Sequence, residues 1–191
     1  MRIWTRFATM DEEKKKKLVE LGPDVLADAL IRLADNDDKA NRLVERLTSD
    51  LDDIIKKIKR RISGLKRRKR FIHWRESRRF AAELDDLLDD LKEINPEPSV
   101  GMALVASFIG TDHAIFGNCD DSSGHISNIY RYAASSLFAQ YASRCRDKKK
   151  VLDLLIKTYS YDPYSIREGL IEKSLEMLGK DEAKNAINLF E

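Results

Sequence analysis

Residues 67–91 read RRKRFIHWRESRRFAAELDDLLDDL, a basic block that runs without a break into an amphipathic segment. Phe80, Leu84, Leu87, Leu88 and Leu91 recur at the three-and-four spacing that lines one face of a helix, and Glu83, Asp85, Asp86, Asp89 and Asp90 fill the positions between them. The spacing predicts a helix with a buried leucine stripe and an acidic outer face. The same period continues upstream. Leu43, Val44 and Leu47, then Leu51, Ile54, Ile55, Ile58, Ile62 and Leu65, are separated mainly by charged residues and predict two successive helices.

With 8 glycines and 4 prolines in 191 residues, turn formers are scarce, which favours helices over the frequent, evenly spaced turns that sheets require. Hydrophobic residues make up 42% of the chain and charged residues 36%. A core can therefore form provided that the charge stays on exposed helix faces. A chain of this length can be one domain or two small helical halves.

Gly22-Pro23 separates a lysine-rich first helix from a second at about 24–34, since proline is accepted in a first helical turn and refused later. Residues 35–38 (DNDD) form the next turn, and Ser49 with Asp52 fits a capping box opening the following helix. Asn95-Pro96-Glu97-Pro98 is the clearest break, because each proline also drives the residue before it out of helical geometry. It suggests halves at 1–94 and 99–191, or a kink within one continuous domain. Beyond it, 100–109 is an apolar, small-residue helix and 110–124 is irregular. A helix then carries Ile126, Ile129, Tyr130, Ala133, Leu137, Phe138 and Tyr141 on one side, and 151–156 is apolar nearly all round. Asp162-Pro163 is expected to open a helix through Ile166, Leu170, Ile171, Leu175 and Leu178 that closes at Gly179. A last helix carries Ala183, Ala186, Ile187 and Phe190. The expected fold class is all-α, with antiparallel helical hairpins stacked as an irregular α-solenoid or bundle and no repeat of fixed period.

Cys119 and Cys145 stand in a chain with no hydrophobic leader, which points to a reduced, cytoplasmic setting with packed, inert thiols. No run approaches the roughly 20 apolar residues of a membrane helix, and the opening MRIWTRFATM is too short and too broken for a signal peptide. No membrane partner is expected.

From residue 56 to 79 there are thirteen basic residues against one acid, Glu76, in a protein whose net charge is only +2. Such asymmetry is the footprint of a surface that meets phosphates or an acidic partner. Lys56, Lys59, Arg60, Arg67, Arg68, Arg70, Arg75, Arg78 and Arg79 are the candidate anion contacts, with Trp74, and Phe71 near it, as stacking residues. The competing reading is a solvated face, partly neutralised by the acids that follow at once. Arg79, for instance, lies four residues before Glu83.

Other constellations are weaker. Extending the helical period back seven residues from Phe80 puts His73 in the middle of the leucine stripe. No second ligand stands at the right spacing, and Glu76 fits as the N3 partner of a helix starting at His73, so a structural histidine is expected. In the segment CDDSSGH, 119–125, a calcium loop counted from Asp120 would have His125 at its glycine position and Arg131 at its glutamate position. The match fails, and Asp121, Ser122 or Ser123 is expected to cap the next helix. No nucleophile elbow, phosphate loop or HExxH pair occurs, and His113 with Cys119 is not a dyad on sequence proximity alone. No catalytic residue, metal or cofactor is expected.

Arg70-Phe71-Ile72-x-Trp74-Arg75-Glu76, followed by Ala81-Ala82-x-Leu84-Asp85-x-Leu87-Leu88-Asp89, resembles the hallmark of an uncharacterised bacterial family of all-helical proteins, a domain of unknown function. Some relatives in that family are attached to a SWIM-type zinc finger. Asp120-Asp121-Ser122-x-Gly124 and the hairpin closing at Gly179 are similar too, so the resemblance covers the chain from about Pro23 on. The family pattern carries an acid where His73 stands, and the finger's cysteines and histidine are absent from this chain. The resemblance implies the helical fold and no defined activity.

The expected function is therefore a non-catalytic helical binding or adaptor module for a protein partner, engaged through a concave helical face as stacked helix pairs usually do. The alternative is a nucleic-acid-binding protein that uses the 56–79 strip.

Overall fold

The computed structural model describes residues 2–160 and 162–177, and among them the regular elements are all helices. The helices are α1 (Arg2–Glu20), α2 (Pro23–Ala34), α3 (Asp38–Thr48), α4 (Leu51–Lys66), α5 (Trp74–Ile94), α6 (Pro98–Ile109), α7 (Asp112–Phe116), α8 (His125–Asn128), α9 (Ser135–Arg144), α10 (Lys148–Tyr159) and α11 (Glu168–Met177). A π-helical turn, Ile129–Ala134, joins α8 to α9. The single β-bridge among the described residues pairs Ile72 with Cys119.

Two compact units divide at Asp50 and Leu51. In the first, α2 and α3 pack on one another. Pro23 opens α2, and Asp37 caps α3 by accepting from Ala40 N at 2.8 Å. Ser49 closes α3 in extended geometry rather than opening α4. The Asn95–Pro98 break lies inside the second unit, where it ends α5 and starts α6. Asn95 takes left-handed backbone, and Glu97 caps α6 through Ser99 N and Val100 N.

The core belongs to the second unit. Ile58 and Ile62 of α4, the Phe80–Leu91 stripe of α5 and nearly the whole circumference of α6 are buried. Together with α7 the apolar α6 makes a 19-residue stretch, Pro98–Phe116, with the length and hydropathy of a membrane span, which corrects the sequence reading that no run comes close. In this fold 56% of that stretch is buried within the protein, and α6 packs against α9 and α10. Tyr141 of α9 fixes that packing. Its ring fills the space above Gly101, where a Cβ would lie 2.4 Å from the ring, and its hydroxyl donates to Leu91 O at 2.8 Å.

Around the α7 end, Thr111 and Tyr130 share a buried hydroxyl–hydroxyl bond of 2.7 Å, and the Tyr130 ring stacks on Phe108 at 4.9 Å. Burial holds the Tyr130 phenol well above its ordinary range. Arg167 reaches Asp112 by two bonds, Nε to Oδ2 at 2.7 Å and Nη2 to Oδ1 at 2.6 Å, with Asp112 fully buried, and a further bond runs from Arg167 Nη1 to Thr158 O.

α11 starts at Glu168, not at Asp162 as the sequence suggests. Both Asp162 carboxylate oxygens accept backbone bonds, from Ile166 N and Arg167 N, and Ser165 sits at φ 51°, so residues 162–167 form a turn that ends where the helix begins. Gly169 then lets α11 approach the π-helical turn, since a Cβ there would lie 2.6 Å from Arg131 O. The expected close at Gly179 and the last helix, 183–190, lie outside the described residues.

Leu84 is 1% exposed, so Leu84→Ala should cost about 2 to 5 kcal/mol in urea melts, the range for truncating a buried leucine. Asp112→Ala should cost about 3 to 5 kcal/mol by leaving Arg167 buried and unpaired, whereas the double variant Asp112→Leu/Arg167→Met should recover most of the loss, because a buried pair can be replaced as a unit.

Candidate nucleic-acid interface

The basic segment changes conformation twice, and that decides what it presents. α4 ends at Lys66, the chain bends at Arg70 and runs through a bridge at Ile72 to an extended His73, and α5 starts at Trp74. The extended piece is held by its backbone. Ile72 N donates to Asn118 O and Ile72 O accepts from Asp120 N, both at 2.9 Å, with the Ile72 side chain 1% exposed. Side chains alternate in extended chain, so neighbours of an inward residue face the other way. Phe71 is accordingly 46% exposed and His73 is exposed, with their rings edge-to-face at 5.1 Å. Trp74, 57% exposed, carries the Arg75 guanidinium 5.1 Å from its ring centroid.

Phe71, His73 and Trp74 line an open depression with Arg70, Arg75 and Glu76. Glu76 is engaged on both sides, by Arg70 Nη2 at 2.6 Å and by His73 N at 3.4 Å. The second contact is half of the expected capping box. The placement of His73 in the leucine stripe is corrected: the stripe's period stops where the helix does, one residue after His73.

Of the ten candidate contacts, Lys59, Arg60, Arg67 and Arg78 are exposed and have no ion-pair partner among the described residues, as is also true of Lys69 beside them. Lys56 pairs with Asp53 at 2.7 Å, Arg70 with Glu76, and Arg79 with Glu83 at 3.4 Å. These exposed pairs are screened by water and can exchange for phosphate. Arg68 differs from the rest. It is half-buried with its guanidinium 4.6 Å from the Phe80 ring centroid, so it serves packing. Arg61 is structural as well, tying α4 to α5 through Asp90 at 2.5 Å. The period of α4 gave no sign of that link, since Asp90 lies 29 residues away.

The 119–125 segment supports this surface. Asp121 accepts from Ile126 N at 2.9 Å and Ser127 N at 2.7 Å, the expected cap of the next helix, and Ser123 Oγ meets the buried Ser77 Oγ of α5 at 3.0 Å. Among the described residues no group of three or more His, Cys, Asp or Glu could hold a metal ion. In the first unit a different feature stands out: eight large apolar side chains between Leu18 and Leu47 are exposed, and α2 and α3 bury only Ala40 among the described residues.

Burial, with the charges of Asp121 and Asp120, pushes the Cys119 thiol up to about 11 from an ordinary 9.0. At pH 8 that leaves about a hundredfold less thiolate, the reacting form. In a Cys145→Ser variant, a disulfide reagent should react with the folded protein at least about tenfold more slowly than with the urea-unfolded chain, and the difference should shrink as the pH approaches 11.

No curated protein and no solved structure matches the chain. A family model does match, over residues 10–189, a span that covers most of both compact units and the stretch that carries the family resemblance. The chain belongs to the family of unknown function DUF6880.

Proposed function

We propose that the chain is a non-catalytic helical binding module, and that nucleic acid is the partner its α4–α5 segment fits best. The observation that carries this is the set of exposed basic residues without ion-pair partners among the described residues, Lys59, Arg60, Arg67, Lys69 and Arg78, within a segment of thirteen basic residues and one acid. Like charges crowded at a surface repel, and an external polyanion relieves that repulsion while releasing its own counterions. Contacts of this type read phosphates rather than bases, so affinity should vary little with sequence.

The second reading is a protein adaptor, and the number of exposed large apolar residues in the first unit favours it. The α2–α3 pair is a helical hairpin, whereas α9 packs against the non-consecutive α6 and α11, which supports an irregular bundle for the second unit in either case. With both cysteines free, a reducing compartment such as the cytoplasm suits the module.

Retardation of mixed-sequence DNA and RNA at two salt concentrations tests the first reading. Binding should fall steeply with salt, and charge reversal at Arg67 and Arg78 should weaken it for all sequences alike, reducing the log–log salt slope by about 0.9 per lost phosphate contact on duplex. Absence of any retardation by micromolar protein at about 0.1 M salt would remove nucleic acid and leave the adaptor.

A further inference from the structure

We infer that Phe71, His73 and Trp74 form a stacking platform for the unpaired bases of single-stranded nucleic acid, with Arg67, Lys69 and Arg78 taking the adjoining phosphates. This rests on the nucleic-acid reading above and names the form of nucleic acid recognised. Three observations support it. First, the rings are exposed where burial was within reach: Ile72 between them is 1% exposed while Phe71 and Trp74 stand at 46% and 57%. Second, the backbone beneath the rings is held in place. Ile72 is bonded to Asn118 and Asp120 through its backbone, and Trp74 is the first residue of α5, so little freedom is lost when a base settles on the rings. Third, its surroundings suit a nucleotide strand. Arg75 lies against the Trp74 ring, and the one carboxylate in the depression, Glu76, is already held by Arg70 and by His73 N.

Geometry separates this from duplex binding. In a duplex the faces of the bases are covered by their neighbours, so exposed aromatic rings gain nothing beyond phosphate contacts. In a single strand every base offers a free face, and stacking on it is tolerant of sequence. An apolar peptide segment could also lie on the rings, but it would leave the surrounding cations without counter-charge.

The test uses the full chain in a Trp4→Phe background, so that Trp74 is the only tryptophan, titrated with a 20-nucleotide oligothymidine and with a 20-base-pair duplex at about 0.1 M salt. Oligothymidine should quench Trp74 emission and bind more tightly than the duplex. Binding without the quench is not expected. In the unmodified chain, followed by retardation or anisotropy, Phe71→Ala and Trp74→Ala should each weaken oligothymidine binding by about 5- to 100-fold. Trp74→Phe should retain most of the affinity, and the duplex constant should stay unchanged. Equal effects on strand and duplex, or no effect on either, would overturn the platform while leaving the phosphate reading in place. Binding to neither probe would overturn both readings and assign the rings to a protein partner.

Discussion

A charge cannot be left unpaired inside a protein, and the Asp112–Arg167 pair makes that rule the organising constraint of the second unit. An isolated buried charge carries a penalty of several kcal/mol, so the start of α7, the end of α10 and the turn before α11 must meet. Arg167 joins all three, through Asp112, through Thr158 O and through the Asp162 carboxylate that accepts from its own amide. The desolvation of both charges offsets much of their attraction, so net stability is not the main thing the pair supplies. What it adds is register, because the two-pronged guanidinium and carboxylate fit in one relative position only. With that corner set, Gly169 meets the π-helical turn at Arg131 and α9 lies between α6 and α11.

The candidate surface depends on the same core at one remove. α5 lies on the core through its leucine stripe, and Tyr141 binds the far end of that helix through Leu91 O. At the near end, the loop after α7 holds Ile72 by two backbone bonds and Ser77 by its hydroxyl. A basic stretch that would otherwise be a mobile linker between two helices is thus fixed in extended form. Cations repel one another and cannot organise themselves; here the order comes from the apolar residue and the backbone groups set among them.

The charge of the chain is segregated rather than large. A net +2 conceals a strongly basic segment followed by an acidic helix face, and only part of that opposition is spent on ion pairs within the fold. The first unit shows the complementary property, with apolar side chains in water and a single buried alanine in α2 and α3 among the described residues. Both features are costly in isolation, and the binding reading proposed above is the one under which contact with another molecule would relieve them.

Helix content, the leucine stripe of α5, the cap at Asp121 and the exposure of most of the basic strip were legible in the sequence, because each depends on residues within one or two turns of one another. Periodicity also misled wherever the backbone left the helix: His73 was carried into a stripe that begins after it, and the helix expected from Asp162 starts at Glu168. Tertiary structure alone decided the rest. Asp112 and Arg167 are 55 residues apart, Arg61 and Asp90 are 29 apart, and Ile72 meets a loop more than forty residues on. No local rule of spacing records such pairings. They arise from the demand that buried charges and backbone groups find partners once the apolar faces have closed, and that demand, rather than the order of residues along the chain, put the Phe71, His73 and Trp74 rings on the outside.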